Sequence, residues 1–250
     1  MLRLLVCTAL AASLIACSRS DANEEPRPDR ATEIAAALAA GDRPDEHRER
    51  DAGRQVAEVI AFSRVAPGER VLDLASGGGY LTRLFSTIVG PAGAVVAQNP
   101  PSLVDRIQPA LDTVLADRPN VSAMPAAFDA LEGAAESYDL VVLSRFYHDV
   151  ILLGGREAMN AQVFALLKPG GRYFVTDHAA EAGSGERDVD PLHRVDPELV
   201  RREVEAAGFV LIDETDALTN PDDDLTTNIF DDAIRGRTSQ FAFLFEKPER

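Results

Sequence analysis

Val71-Leu72-Asp73-Leu74-Ala75-Ser76-Gly77-Gly78-Gly79-Tyr80-Leu81-Thr82 is an apolar run that ends in an acid and glycines before apolar residues return at helical spacing. The pattern predicts a buried strand, a tight turn and the start of a helix. Glycines in such a turn admit positive φ and let a ligand approach the backbone closely. The first amides of the following helix have no intrahelical partner and face the same space. This stretch therefore predicts a ligand crevice at the carboxyl end of a first strand.

Downstream, Leu81, Leu84, Phe85 and Ile88 carry the helix to Gly90-Pro91. Ala94-Val95-Val96-Ala97-Gln98 is a second buried strand, stopped by Asn99-Pro100-Pro101. A helix over 102–116, strands over 121–124 and 138–143, a helix over 157–167 and a strand over 172–177 continue the alternation. Helices alternating with near-continuous apolar strands predict an α/β fold, a parallel sheet covered on both faces. The alternation breaks over 177–197, a polar stretch with Gly183-Ser184-Gly185 that is long for a connection and reads as a lid or substrate loop. Pro197 opens a helix to Ala207, Gly208 caps it, and strands follow over 209–213 and 240–246 on either side of the polar run Asn220-Pro221-Asp222-Asp223-Asp224.

Upstream, 52–63 and the alanine-rich 31–40 read as two helices separated by a charged break around Pro44. Residues 17–30, polar and proline-bearing after Cys17, read as a flexible tether. The chain thus divides into a signal at 1–16, the tether, a helical extension over 31–63 and a main domain over 64–250. Its 250 residues leave room for one large core, and a formal net charge of -16 with Lys168 and Lys247 as the only lysines speaks against a nucleic-acid partner. The only cysteines are Cys7 and Cys17, so the folded body forms no disulfide.

Met1-Leu2-Arg3 and the short apolar run after it have the form of a secretory signal, too short to span a membrane once mature. Leu14-Ile15-Ala16-Cys17 resembles the lipobox of bacterial lipoproteins, which implies cleavage before Cys17 and a lipid on its thiol. An ordinary signal peptide with a chance cysteine is the alternative. By the sorting pattern of that group, Ser18 in place of an aspartate implies a periplasmic protein on the outer membrane of a Gram-negative bacterium, held to the membrane by this lipid alone.

The glycine turn does not fit a dinucleotide fingerprint. Thr82 stands where its third glycine would, and the second strand ends in Gln98-Asn99 without an acid for a ribose. Together, Asp73 with Gly77 and Gly79, Tyr138-Asp139-Leu140-Val141-Val142, Leu167-Lys168-Pro169-Gly170-Gly171 and Ala207-Gly208-Phe209 resemble a class I S-adenosylmethionine-dependent methyltransferase. Ala97-Gln98-Asn99-Pro100-Pro101, Tyr147-His148-Asp149, Asp177-His178, Leu192-His193-Arg194-Val195-Asp196 and 235–241 look like a bacterial group of exported methyltransferases. The resemblance implies a Rossmann-like, doubly wound sheet of seven strands, mostly parallel with the last antiparallel, and S-adenosylmethionine as cofactor.

Carried over by position, Ala75 and Gly77, Gly78 and Gly79 face the methionine part of that cofactor and Asp73 its ammonium. Gln98 and Asn99 stand at the ribose, and Phe128 and Asp129 at the adenine. Ala75 replaces a glycine of the common pattern, and Asn99 replaces the ribose-binding acid. Methyl transfer to a protonated nucleophile needs alignment and a base. His148 is the candidate base, Asp149 or a lid carboxylate orients its ring, Tyr147 shapes the acceptor site, and His178, His193 and Arg194 border the lid. Three histidines and two aspartates also allow a metal site, but their spacing is irregular and no close His pair sits on one helix, so that reading stays minor and no metal ligand is assigned. Two functions stay open: methyl transfer to a small-molecule acceptor, or a non-catalytic ligand-binding module that retains the fold.

Overall fold

The computed structural model describes residues 29–249; the signal, Cys17 and nearly all of the tether lie outside the described residues. Four short helices come first, α1 (Arg30–Ala39), α2 (Asp45–Arg48), α3 (Asp51–Arg54) and α4 (Val56–Ser63). Next are β1 (Arg70–Leu74), α5 (Tyr80–Val89), β2 (Ala94–Asn99), α6 (Pro101–Asp117) and β3 (Val121–Pro125). The chain continues through β4 (Tyr138–Ser144), α7 (Tyr147–Leu153), α8 (Arg156–Leu166) and β5 (Leu167–His178). It ends with α9 (Val189–Leu192), α10 (Pro197–Ala206), β6 (Val210–Thr215) and β7 (Gln240–Glu246).

The strands form one sheet in the order β3-β2-β1-β4-β5-β7-β6. Strands β1 to β5 pair in parallel, and β7 runs antiparallel to both β5 and β6. From β1 the chain winds outward to β3, returns to place β4 beside β1, and then winds the other way. Parallel strands leave a crevice at their carboxyl ends where the winding reverses. Here that point lies beyond Asp73 and Leu74, which pair with Val142 and Leu143 of β4.

Alternate side chains of each strand feed two cores, as a pleated sheet covered on both faces requires. Leu72, Leu74, Val141, Leu143 and Tyr173 pack with Val150, Val163 and Val204 from α7, α8 and α10. On the other face, Val71, Leu140, Val142 and Phe174 pack with Leu84, Phe85 and Val114 from α5 and α6 and with Val59 and Ile60 from α4. The helical extension is thus part of the second core.

Three local expectations change. The helix over 52–63 is divided at Gln55, whose backbone is left-handed with φ 46°. Tyr147-His148-Asp149 is the first turn of α7, a helix for which the sequence pattern gives no expectation. The 177–197 segment is also less free than a lid: His178 belongs to β5, Ala179 pairs with Val195, and Asp196 caps α10 by accepting the Glu198 amide. Val195 and Asp196 are buried, and the exposed residues of the segment fall between Glu181 and Pro191.

Candidate active site

The glycine turn leaves β1 through Ala75, which takes φ 49°, and Gly77 follows at φ 57°. Two amides from β2 brace it. Gln98 accepts the Ala75 amide at 3.0 Å and donates to the Ala126 carbonyl at 2.7 Å. Asn99 accepts the Gly77 amide at 2.8 Å and donates to the Ser76 hydroxyl at 2.8 Å. Both side chains, expected at the ribose, spend their polar atoms on the shape of the turn. The glycines divide the work: a Cβ at Gly78 or Gly79 would collide with Ala110 or Val114 of α6, whereas one at Gly77 would meet open space. Close packing explains the first two, and Gly77 faces the crevice.

Asp73 is buried at the strand end and accepts the Thr82 hydroxyl at 2.6 Å. Burial pushes its carboxyl up to about 7 against the pull of that bond. A cation arriving beside it would restore the ionised form.

Tyr80, the first residue of α5, is gripped by the helical extension. Its hydroxyl donates to Asp51 at 2.6 Å, Asp51 holds Arg43 through two hydrogen bonds, and the Arg54 guanidinium lies 4.4 Å from the ring centroid. Beside this clamp, Arg54, Tyr80, Leu81, Ser144, Arg145 and Gln240 line a small cavity. Burial pushes Arg145 down to about 10 and, with the Arg145 charge added, Arg54 down to about 9. Two guanidinium groups thus share this cavity, and each charge disfavours the other. The sequence reading missed the pair, because Arg54 belongs to the extension and Arg145 to the β4–α7 link.

On the other side of the β4 end, β5 and the first turn of α7 bring charged groups together. Nδ1 of His148 lies 2.9 Å from one oxygen of Asp177, and the other oxygen accepts the His148 amide at 2.8 Å. Burial opposes the imidazolium, but the charge and hydrogen bond of Asp177 outweigh it and raise the His148 pKa. The ring of His193 stands edge-on to His148, 5.5 Å between centroids, and Asp149 lies between them. The structure thus joins His148, Asp149 and His193 and adds Asp177 as the residue that orients them. His178 is adjacent, but its Nδ1 is bound to Thr238 at 2.7 Å and burial pushes it down to about 3. It stays neutral.

Tyr147 and Arg194, two of the expected site residues, lie elsewhere. Tyr147 points into the core, where its hydroxyl donates to Glu203 and accepts from Asn160, each at 2.9 Å. Adjacent helical residues diverge, so His148 faces the cleft and Tyr147 cannot. Arg194 is fully buried in a two-bond pair with Asp223, which ties the segment before β7 to the end of β5. Phe128 packs in the core against Phe146, and Asp129 is exposed. Donor atoms of His148, Asp149 and His193 also lie within 4.8 Å of one another.

Fold and site together define a member of the class I S-adenosylmethionine-dependent methyltransferase superfamily. Residues 51–176 match the family described as protein-L-isoaspartate(D-aspartate) O-methyltransferase, half of the chain, and the protein belongs to that family. It is also 36% identical over 124 residues to the ubiquinone/menaquinone biosynthesis C-methyltransferase UbiE of Ectopseudomonas mendocina, a match covering 48% of this chain and 45% of that one. The corresponding protein of Pasteurella multocida is 30% identical over 137 residues, covering 55% and 48%. The chain thus spans about half the length of these relatives. A S-adenosylmethionine-dependent methyltransferase of Aquifex aeolicus shares the fold with a TM-score of 0.60 at 14% identity, over 88% of this chain and 100% of that one. Fibrillarin of Aeropyrum pernix, solved with natively bound S-adenosylmethionine, follows at 0.51 and 16%, over 78% and 73%.

Proposed function

We propose that the protein transfers a methyl group from S-adenosylmethionine to a small-molecule acceptor. The observation that carries the reading is the buried Asp73 at the end of β1, followed by a glycine turn with open space at Gly77. Asp73 supplies an anion for an ammonium, a partner suited to the amino-acid end of this cofactor. Gly77 leaves space for it beside the turn. When bound, the cofactor supplies a sulfonium methyl group, which is transferred by in-line displacement.

The acceptor belongs at the His148, Asp149 and His193 cluster, on the same edge of the sheet. Asp177 holds Nδ1 of His148, which leaves Nε2 to receive a proton from an acceptor hydroxyl, thiol or acidic carbon. Phe230 is 57% exposed with its ring 5.0 Å from His193, which favours an acceptor with an apolar body. The family and the relatives carry names for different acceptor atoms, so the acceptor has to be sought by assay. A ligand-binding module without turnover is the second reading, favoured by the commitment of Asn99 to the turn and not to a ribose.

The exported, lipid-anchored context belongs to the proposal as well. It is supported by the lipobox at Cys17 and the polar tether after it. Among the described residues no helix is long and apolar enough to cross a membrane. Labelled fatty acid should enter the wild type and not Cys17→Ala; equal labelling refutes the anchor.

Calorimetric titration with S-adenosylmethionine and with its demethylated product tests the cofactor. Micromolar to sub-millimolar binding is expected, weakened at least tenfold in Asp73→Asn. Silence with both ligands sinks the reading, and binding without turnover over a broad acceptor panel supports the module.

A further inference from the structure

We propose that His148, Asp149 and His193 form a binding site for a divalent transition metal of the zinc or iron(II) kind. Asp149 Oδ2 lies 3.5 Å from Nε2 of His148, and its Oδ1 lies 3.9 Å from Nδ1 of His193. Bonds of about 2.1 Å in a tetrahedron put neighbouring donors about 3.4 Å apart, so three donors already stand close to the spacing of a coordination shell. They make poor partners for one another: Nδ1 of His193 is buried without a hydrogen bond. An ion between them would satisfy that atom and the lone pair of His148 at once.

The surroundings fit. Nδ1–H of His148 donates to Asp177, which fixes the tautomer and turns Nε2 toward the cluster, the carboxylate–histidine arrangement that supports metal ligands. The backbone of His193 is left-handed at φ 53°, at the end of α9, and this places its ring over the first turn of α7. Two imidazoles and one carboxylate suit zinc or iron(II) better than magnesium or calcium, which prefer oxygen. Three protein ligands leave a position open for water or an acceptor atom.

A metal there would take over the task given to His148, because Nε2 cannot both bind a metal and accept a proton. An acceptor hydroxyl or thiol bound at the open position would lose its proton to solvent before attacking the methyl group. That role rests on the methyl-transfer reading; the metal binding does not.

The test uses the full chain, stripped with a chelator and titrated with cobalt(II), then zinc, in the absence of S-adenosylmethionine. We expect one equivalent of cobalt with intense ligand-field absorption and no thiolate charge-transfer band, which separates this site from Cys7 and Cys17. Zinc should displace it. His193→Ala, at a half-exposed position compatible with folding, should weaken zinc at least tenfold, and Asp177→Asn should weaken it by about 10–100-fold. Affinity no tighter than millimolar, a preference for magnesium, or unchanged binding in His193→Ala overturns the site. Undiminished turnover after chelation overturns its catalytic role and returns the proton to His148.

Discussion

Asp177 holds His148 twice: one carboxylate oxygen lies 2.9 Å from Nδ1 of the ring and the other accepts the backbone amide at 2.8 Å. One residue of β5 thus fixes both the start of α7 and the tautomer of its histidine. Asp177→Asn keeps the shape, but its amide can donate to Nδ1 and send the ring proton to Nε2. Turnover should fall by about 10²-fold or more, with little change in cofactor affinity. Asp177→Ala should in addition cost about 3–5 kcal/mol, because a buried partner is left alone. Imidazole nitrogen shifts read the tautomer, and full activity in the Asn variant would remove the orienting role.

Tyr147 neighbours His148 in sequence but serves the core. Tyr147→Phe removes its hydrogen bonds to Glu203 and Asn160 and should lower stability by about 1–2 kcal/mol. The kcat should stay within about twofold, since the methyl-transfer chemistry does not touch this hydroxyl. Chemical denaturation and steady-state rates separate the two effects, and a hundredfold loss of kcat without destabilisation would restore an acceptor role.

These neighbours show where sequence reading stops. The alternation of strands and helices is written in local periods and in Gly and Pro punctuation, and β7 falls at 240–246 as the pattern predicts. The glycine turn and His148 were legible too, because each sits just past a recognisable strand. Partnership across the sheet was not. Asp177 meets His148 because β5 lies beside β4, and Asp51 meets Tyr80 because the extension folds back over α5. Spacing along the chain carries no sign of either. The direction of a side chain at an unseen helix start was equally hidden, which is why Tyr147 was placed in the cleft.

Arg194 was expected at the substrate and instead pairs with Asp223 at 2.9 Å through two bonds, both side chains fully buried. Arg194→Met alone leaves the buried Asp223 without its counter-charge, holding only the Ser239 and Leu225 amides, and should cost about 3–5 kcal/mol. Arg194→Met with Asp223→Asn should recover part of that loss, because the amide carries no charge and its oxygen still accepts the Ser239 amide. A double-mutant cycle on unfolding free energies measures the coupling. Additive losses would show that the pair does not hold this segment.

Asp73 should leave a signature in the pH dependence of stability. Its carboxyl is pushed up to about 7 in the folded protein by burial, while in the unfolded chain it titrates near the ordinary value of about 4. Between these limits the folded state binds more protons than the unfolded one, so stability falls as pH rises. The penalty is absent below about pH 4, grows through the interval and is complete above 7. Asp73→Asn cannot ionise, so its melting temperature should gain on the wild type as pH rises from 5 to 8. Bound S-adenosylmethionine should narrow that gap, because its ammonium stabilises the ionised carboxylate and its binding releases a proton. Melting curves with and without the cofactor, and calorimetry in buffers of different ionisation enthalpy, test both parts. Parallel curves for wild type and Asp73→Asn would show that the folded carboxyl titrates normally, and the ammonium would then need another partner.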